Sequence, residues 1–165
     1  MDKMKPHETL LSEIVPKLMQ NYPEYHYLLI PRNQPQYEAL NKQFEKEISA
    51  GQIILRKGVA NLAHIMYYAK MVMTGCGTMV RESALLGVPS IEFFPLDTYP
   101  QEEFLIENGF PLKHVRKPDD VLNVIQTYLD KDHRIDTKNK INGLENPLTI
   151  GLQLFREFEK KDQKK

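Results

Sequence analysis

The sequence contains no tryptophan, one cysteine, no net charge and no long apolar run. A single cysteine cannot form an internal disulfide, which favours a reducing compartment. The 22 basic and 22 acidic residues balance, so no net positive field attracts nucleic acid or an anionic membrane. The apolar runs are far shorter than the roughly 20 residues that a membrane-spanning helix needs. We therefore expect a cytoplasmic protein with no transmembrane segment and no nucleic-acid partner.

Several catalytic and metal-binding patterns are also missing. No Gly-Lys-Ser or Gly-Lys-Thr ends a phosphate-binding loop, and Ser83 and Ser90 lack the Gly-x-Ser-x-Gly elbow of serine hydrolases. The five histidines are scattered, and no two of them have the spacing that places two ligands on one helix face. The sequence therefore predicts neither a metal site nor a resident cofactor.

The composition that remains is that of one folded domain. The chain has 165 residues, of which 41% are hydrophobic and 27% are charged. Because a domain takes roughly 100 to 200 residues, we expect a single domain over residues 1–165. Its last residues, 161–165, form a charged tail that is expected to fray.

Short apolar runs alternate with segments of helical periodicity. The predicted strands are residues 25–30, 52–55, 71–74, 90–94 and 113–115, and the predicted helices are residues 8–20, 36–49, 59–69, 78–86, 100–108, 119–129 and 147–160. Strands that alternate with helices imply βαβ units with right-handed crossovers. The predicted fold class is therefore α/β, a Rossmann-like three-layer α/β/α arrangement with a mostly parallel sheet.

The chain opens on a helix, whereas a doubly wound sheet usually opens on a central strand. If that strand is absent, the five predicted strands can still form one sheet in the order 2-1-3-4-5. The ligand crevice would then lie between the first and the third strand.

Two helices carry more detailed expectations. Pro16 removes an interior donor from the first helix, so we expect a kink or an early break there. In the last helix, an apolar stripe is expected to point inward; its residues are Leu148, Leu152, Phe155 and Phe158.

The most informative segment is the turn between the third strand and the next helix, Gly75-Cys76-Gly77-Thr78. Such a turn lies at the carboxyl edge of a parallel sheet, where small residues and the helix N-terminus present backbone N–H groups to an anion. We predict that it binds a phosphate or diphosphate, with Thr78 as the N-cap and Glu82 accepting hydrogen bonds from ribose hydroxyls. Two structural alternatives stay open: a tight turn for the glycines, and a helix-dipole role for Glu82.

Other candidate side chains follow two of the strands. Arg32 comes just after the first strand, where a guanidinium can bind a phosphate or a carboxylate. The alternative, which stays equally open, is that Arg32 is an exposed charge on a Pro-rich loop. Thr98, Tyr99 and Gln101 follow the fourth strand and could reach a sugar hydroxyl. A capped helix start is the alternative for these three residues.

The pattern Gly-x-Gly-Thr-x-x-Arg-Glu-x-Ala-x-Leu-Gly-x-Pro over residues 75–89 resembles the nucleotide-binding C-terminal half of GT-B glycosyltransferases and the related UDP-GlcNAc 2-epimerases. It is most similar to a group of uncharacterised prokaryotic proteins of that architecture. The resemblance implies that Gly75, Cys76, Gly77 and Thr78 contact the diphosphate of a nucleotide sugar and that Glu82 contacts its ribose. Epimerase-type members usually carry a second glycine directly after the first, where this sequence has Cys76.

GT-B proteins are similar to one another in using two such domains, with the substrate closed between them. The resemblance therefore implies a UDP-sugar-binding domain that pairs with a separate N-terminal-half subunit, forms a homo-oligomer or is a fragment. Such a half binds its ligand but turns over poorly, because positioning and water exclusion need both walls of the cleft.

Two other functions stay open from the sequence. An NAD-binding domain would use Gly75 and Gly77 with Asp97 as its acidic residue. Val80 argues against this alternative, because its branched side chain occupies the position where a third small residue is expected. A non-catalytic interaction or regulatory module with an empty crevice is the other alternative.

Overall fold

The computed structural model describes residues 10–75, 77–94, 96–129 and 134–162. Within these residues the chain forms five strands and nine helices. In chain order the elements are α1 (Leu10–Asn21), β1 (Tyr27–Leu29), α2 (Gln34–Gln43), α3 (Glu45–Ser49), β2 (Ile53–Leu55), α4 (Leu62–Tyr68), β3 (Val72–Thr74), α5 (Gly77–Leu85), β4 (Ser90–Phe93), α6 (Pro100–Glu107), β5 (Leu112–Val115), α7 (Pro118–Leu129), α8 (Lys138–Asn142) and α9 (Pro147–Asp162).

The strands pair in parallel, but they form two sheets. β1 pairs with β2, and Leu28 lies opposite Ile54; β3, β4 and β5 pair in that order. The predicted α/β class with parallel strands is confirmed. The expected order 2-1-3-4-5 is observed within each sheet, as β2-β1 and as β3-β4-β5, but β1 and β3 share no ladder among the described residues, so the strands do not form a single sheet. A cavity of about 910 Å³ lies along both strands instead.

Helix α1 packs against both sheets. Ile14 and Leu18 belong to the apolar cluster that includes Ile91 of β4 and residues of α7, whereas Val15 packs with Leu29 of β1 and its neighbours on β2. All three α1 side chains are buried. Burying each such side chain is worth about 1.5–3 kcal/mol, so α1 supplies apolar contact where strand pairing between the sheets is missing.

Pro16 lies inside α1 and does not break the helix, so the expected early break is not observed. The proline cannot donate to the carbonyl of Ser12, four residues earlier. Gln43 of α2 donates a hydrogen bond to that carbonyl instead, with 3.0 Å between Nε2 and the oxygen. A neighbouring side chain thus provides a donor to the carbonyl that the proline leaves without its helical partner.

Helices α5 and α6 pack on the other face of the three-stranded sheet. Val80 and Ala84 of α5 form a cluster with Leu105 of α6 and Leu112 of β5. The three layers expected of a Rossmann-like fold are therefore present around β3, β4 and β5, with α1 and α7 on one face and α5 and α6 on the other.

The Leu-Gly-Val-Pro segment ends α5. Gly87 has a φ of 77°, and the N–H of Val88 donates to the carbonyl of Ser83 at 3.0 Å. This is the glycine-dependent Schellman arrangement that satisfies carbonyls at a helix end. A Cβ at Gly87 would also collide with the carbonyl of Ile135, so the position requires glycine for two reasons.

The apolar stripe of α9 lies at the surface. The expectation that Leu148, Leu152, Phe155 and Phe158 point inward is wrong, because their exposed fractions lie between 61% and 75%. Helical periodicity identifies an apolar face but not the surface that covers it, and no described element packs extensively against α9.

Tyr27 of β1 provides a test of packing beside the cavity. Its hydroxyl donates a 2.8 Å hydrogen bond to the carbonyl of Tyr22. Burial, with a smaller effect of Glu24, raises the pKa of Tyr27 to about 12. We expect Tyr27→Phe to lower the free energy of unfolding at pH 7 by about 0.5–1.5 kcal/mol, the net value of one hydrogen bond.

The same substitution changes the response to alkali. The folded protein holds the Tyr27 proton more tightly than the unfolded chain, whose tyrosines titrate near pH 10, so stability falls as the pH rises from about 10 to 12. Urea unfolding at pH 8 and pH 11.5 should show a smaller fall for Tyr27→Phe than for the unmodified protein. Tyr68→Phe, at a side chain that is 81% exposed, serves as the control, and equal falls in all three proteins would contradict the assignment.

Candidate functional site

The cavity between β1 and β3 brings two of the predicted site residues together. Its lining includes every residue from Tyr25 to Arg32 along β1 and every residue from Lys70 to Gly75 along β3. Arg32 comes from the two-stranded sheet and Gly75 from the three-stranded sheet. Residues that are 43 positions apart in the sequence thus line one cavity at the carboxyl ends of β1 and β3.

The other predicted residues lie on α5 or outside the described residues. Thr78 and Glu82 are exposed on α5, and neither is among the described residues that line the cavity. Gly77 is the first residue of the helix. Cys76 lies outside the described residues.

Thr78 is not the N-cap of α5. The helix begins at Gly77, one residue earlier than the sequence predicts, so Thr78 is already inside its first turn. The Thr78 hydroxyl accepts a hydrogen bond from Nη2 of Arg81 at 3.3 Å. This contact on the helix surface helps to fix the position of the Arg81 side chain.

Both glycines of the turn have neighbours that leave little room for a side chain. A Cβ at Gly75 would lie 3.2 Å from the carbonyl oxygen of Phe93, and a Cβ at Gly77 would collide with Oε1 of Glu102. The turn therefore packs closely against β4 and α6. This close packing accounts for both glycines, so their presence does not by itself identify a ligand.

A buried acidic residue that sequence reasoning missed lies beside the turn. Glu92 of β4 is buried. Its Oε2 atom accepts a hydrogen bond from the Thr98 hydroxyl at 2.8 Å and lies 2.9 Å from Nδ1 of His114. Nε2 of His114 lies 3.0 Å from the carbonyl of Leu96, and because a carbonyl only accepts, Nε2 carries a proton. The signal in the sequence was a glutamate within a short apolar strand.

Glu102 of α6 is the second buried acid. Its Oε1 lies 3.4 Å from Nη1 of Arg81, and neither carboxylate oxygen has a hydrogen bond to a described residue. Oε1 of Glu92 lies 3.7 Å from the point that a Cβ of Gly77 would occupy, so both carboxylates approach the start of α5. They stabilise the positive end of the helix dipole from within the protein, while Arg81 and His114 lie beside them as basic partners.

The segment after β4 is engaged in local contacts. Asp97, the acidic residue of the NAD alternative, forms an exposed ion pair with Arg116. Thr98 is bonded to Glu92, and the Tyr99 ring stacks on Phe94 with 6.4 Å between centroids. These contacts account for Thr98 and Tyr99 without a sugar.

Two features are absent from the part of the chain that the structure describes. None of its helices combines the length and the apolar character needed to cross a membrane. Nor do three side chains of the types His, Cys, Asp and Glu gather there in a way that would hold a metal ion.

The fold and this edge together define an α/β protein of the Rossmann-like class with a short turn leading from a parallel strand into a helix. The chain belongs to the family described as protein of unknown function (DUF354), whose model matches residues 2–160. It is 26% identical over 125 residues to the uncharacterized protein MJ0665 of Methanocaldococcus jannaschii, a match that covers 76% of this chain and 34% of that protein.

The fold is similar to that of UDP-GlcNAc 2-epimerase from the same archaeon. The TM-score is 0.58 at 19% identity, over 75% of this chain and 34% of the epimerase. The chain thus spans about a third of the length of both proteins. The likeness concerns the fold and is consistent with the resemblance expected from the sequence. The assignment to the C-terminal half stays a prediction.

The pair of Arg81 and Glu102 yields a stability prediction. Removing Arg81 leaves a buried carboxylate without its cation, which costs up to 3–5 kcal/mol in fully buried pairs. Because Arg81 is partly exposed, we expect Arg81→Met to lower the free energy of unfolding by about 1–3 kcal/mol. Glu102→Gln should restore part of this loss in the double variant, because it removes the unpaired charge. Additive effects in a urea double-mutant cycle would show that the two side chains are not coupled.

Proposed function

We propose that this protein binds a nucleotide sugar of the UDP type at the carboxyl ends of β1 and β3. The diphosphate binds at the turn formed by Gly75, Cys76, Gly77 and Thr78, and the ribose binds to Glu82. The observation that carries the proposal is the position of this turn. From the position between β1 and β3, the chain adds β2 on one side and β4 and β5 on the other. Ligands of open α/β sheets bind at such a switch point, where the strand order reverses.

The accessible chemistry at this edge suits an anion attached to a sugar. The first turn of α5 has N–H groups without intrahelical acceptors, and the helix dipole favours negative charge there. Thr78 and Glu82 are exposed, so a ligand can reach both side chains. Glu82 supplies acceptors for two hydroxyls, and Arg32 supplies positive charge from the opposite wall of the cavity.

The buried acids do not oppose this proposal. Glu92 and Glu102 are inaccessible to a ligand, and each is paired with a basic side chain, His114 or Arg81. Both carboxyl groups therefore lie inside the protein next to basic side chains, while Thr78 in the first turn of α5 is exposed.

The comparisons support the class of ligand. A protein with a similar fold is a UDP-GlcNAc 2-epimerase, and the sequence pattern around Gly75 and Glu82 resembles nucleotide-sugar-binding domains. Because the chain spans about a third of that protein, we propose that it forms one wall of a two-walled site. It then binds the ligand by itself and turns it over only with the second wall present.

Glu82→Gln tests the ribose contact. We expect it to weaken binding of UDP and of uridine by about 5- to 150-fold, which corresponds to about 1–3 kcal/mol for charge-assisted hydrogen bonds. Binding of inorganic pyrophosphate should not weaken, because Glu82 is assigned to the ribose. Isothermal titration calorimetry with the three compounds measures these affinities.

Glu107→Gln is the matched control, since Glu107 is an exposed glutamate on α6. It removes the same charge from the surface and should leave all three affinities unchanged. An unaltered affinity for UDP in folded Glu82→Gln would exclude Glu82 from the site.

Arg32→Gln tests the opposite wall. We expect it to weaken the binding of UDP and of pyrophosphate by about tenfold at low salt, because an exposed guanidinium contributes a charge-assisted contact that salt screens. The affinity for uridine should not change. Arg56→Gln is the control: Arg56 is an exposed arginine that follows β2 as Arg32 follows β1, and it does not line the cavity. Equal effects of the two substitutions would indicate attraction by the overall charge rather than a contact at Arg32.

An interaction module is the second candidate function. The exposed apolar stripe of α9 favours it, because large apolar patches on a surface mark contacts with other macromolecules. If none of UDP, UDP-GlcNAc and NAD binds to the folded protein, this candidate replaces the first.

A further inference from the structure

We infer that Arg81 binds the diphosphate of the ligand and that Glu102 is the internal counter-ion that limits the strength of this contact. In the free protein the Arg81 guanidinium lies beside the buried Glu102 carboxylate, and in the complex it donates to the diphosphate. The inference rests on the proposed function, because both residues lie at the same turn. It adds what sets the affinity of that turn for an anion.

Arg81 reaches the turn that is assigned to the diphosphate. Side chains of an α-helix tilt toward its N-terminus, and residues four positions apart share a face. Arg81 therefore extends toward Gly77, which has no side chain to obstruct it. Its Nη2 lies 3.3 Å from the hydroxyl of Thr78, so a phosphate bound at Thr78 lies next to the guanidinium.

The guanidinium has donors to spare. It carries five N–H donors, but with the described residues it makes one hydrogen bond, the contact with Thr78. Its Nη1 lies 3.4 Å from Oε1 of Glu102, beyond the about 2.7–2.9 Å of a charge-assisted hydrogen bond. The Arg81 side chain is 31% exposed. Arg81 can therefore donate to a ligand without first breaking a strong contact.

Glu102 is a loosely bound partner for this cation. Its side chain is 0% exposed, and neither of its carboxylate oxygens has a hydrogen bond to a described residue. Buried polar groups in native proteins are almost always hydrogen-bonded, so this carboxylate contributes negative charge to Arg81 rather than an optimised salt bridge. A diphosphate, which carries more negative charge than a carboxylate, is the stronger partner for the guanidinium.

Packing fixes the Glu102 charge at the start of α5. Glu102 lies in the first turn of α6, and a Cβ at Gly77 would collide with its Oε1. Negative charge there offsets the positive end of the α5 dipole, which the diphosphate also needs. Glu92 has its own basic partner in His114, so Glu102 is the acid that competes for Arg81.

The sign of this competition separates it from a purely structural role. Removing the Glu102 charge frees Arg81 and also removes a repulsion, and both changes favour an anion. Coulomb interactions over several ångströms near a protein surface are strong enough to change an affinity several-fold. A residue that only shaped the turn would weaken binding when it is replaced, or leave it unchanged.

Glu102→Gln is the first test, because it keeps the shape of the side chain and removes its charge. We expect it to tighten the binding of pyrophosphate and of UDP by about threefold or more and to leave uridine unchanged. Isothermal titration calorimetry measures the three affinities. Glu103→Gln is the matched control, since Glu103 is the exposed neighbour in the same turn of α6, and it should leave all three affinities unchanged.

Arg81→Met is the second test. We expect it to weaken pyrophosphate and UDP by about tenfold, as for the loss of a charge-assisted contact, and to leave uridine unchanged. Arg81→Lys keeps the positive charge without the forked donors and should recover part of the affinity, which also guards against misfolding of Arg81→Met. Arg56→Met, at an exposed arginine outside the cavity lining, is the control.

Nuclear magnetic resonance of the arginine Nε–H groups tests the contact directly. The Arg81 signal is identified by its loss in Arg81→Lys. Saturating pyrophosphate should shift this signal, whereas saturating uridine should not. The Nε–H signal of Arg56 serves as the internal reference, and a residue with only a structural role would not distinguish the two ligands.

Three results would overturn the inference. Folded Glu102→Gln could bind pyrophosphate no more tightly than the unmodified protein, both Arg81 variants could bind it as the unmodified protein does, or Arg56→Met could weaken it as much as Arg81→Met. If the unmodified protein binds UDP and Glu82→Gln weakens that binding, the proposed function stands and only this inference is lost. If the unmodified protein binds neither UDP nor pyrophosphate, both are lost.

Discussion

Apolar packing of α1 across two sheets is the interaction on which the arrangement of this protein depends. β1 and β2 form one sheet, β3, β4 and β5 form another, and the described residues contain no ladder between them. Ile14 and Leu18 pack against the three-stranded sheet, and Val15 packs against the two-stranded sheet. Hydrophobic contact is non-directional, so it holds the sheets near each other without setting the strand spacing that hydrogen bonds would impose. A cavity along β1 and β3 is compatible with this kind of restraint.

The candidate site follows from the same arrangement. Arg32 follows β1 and Gly75 follows β3, so the two walls of the cavity belong to different sheets. A ligand that contacts both walls would be sensitive to the distance between the sheets. In contrast, the floor beneath the start of α5 is built by β4 and α6, where a Cβ at position 77 would collide with Oε1 of Glu102. The site thus combines a close-packed half with a half whose position is less restrained.

The likeness to UDP-GlcNAc 2-epimerase concerns the fold, and one fold can carry many different functions, which depend on the residues of the site. At this edge the exposed side chains are those of Thr78, Glu82 and Arg32, while Glu92 and Glu102 are buried. This division separates residues that can meet a ligand from residues that shape the turn.

The sequence by itself determined the alternation of strands and helices, because short apolar runs, helical periodicity and glycine stops are local properties of the chain. It also placed Gly75 and Arg32 at strand ends. Only the tertiary structure decided that β1 and β3 do not pair and that Glu92 and Glu102 both lie near the start of α5. It also decided that Gln43 donates to the carbonyl of Ser12 and that the apolar face of α9 is exposed. Each of these contacts depends on which distant segment of the chain packs against the residue. The order of residues does not show this directly, because periodicity reveals that a face is apolar but not which segment covers it.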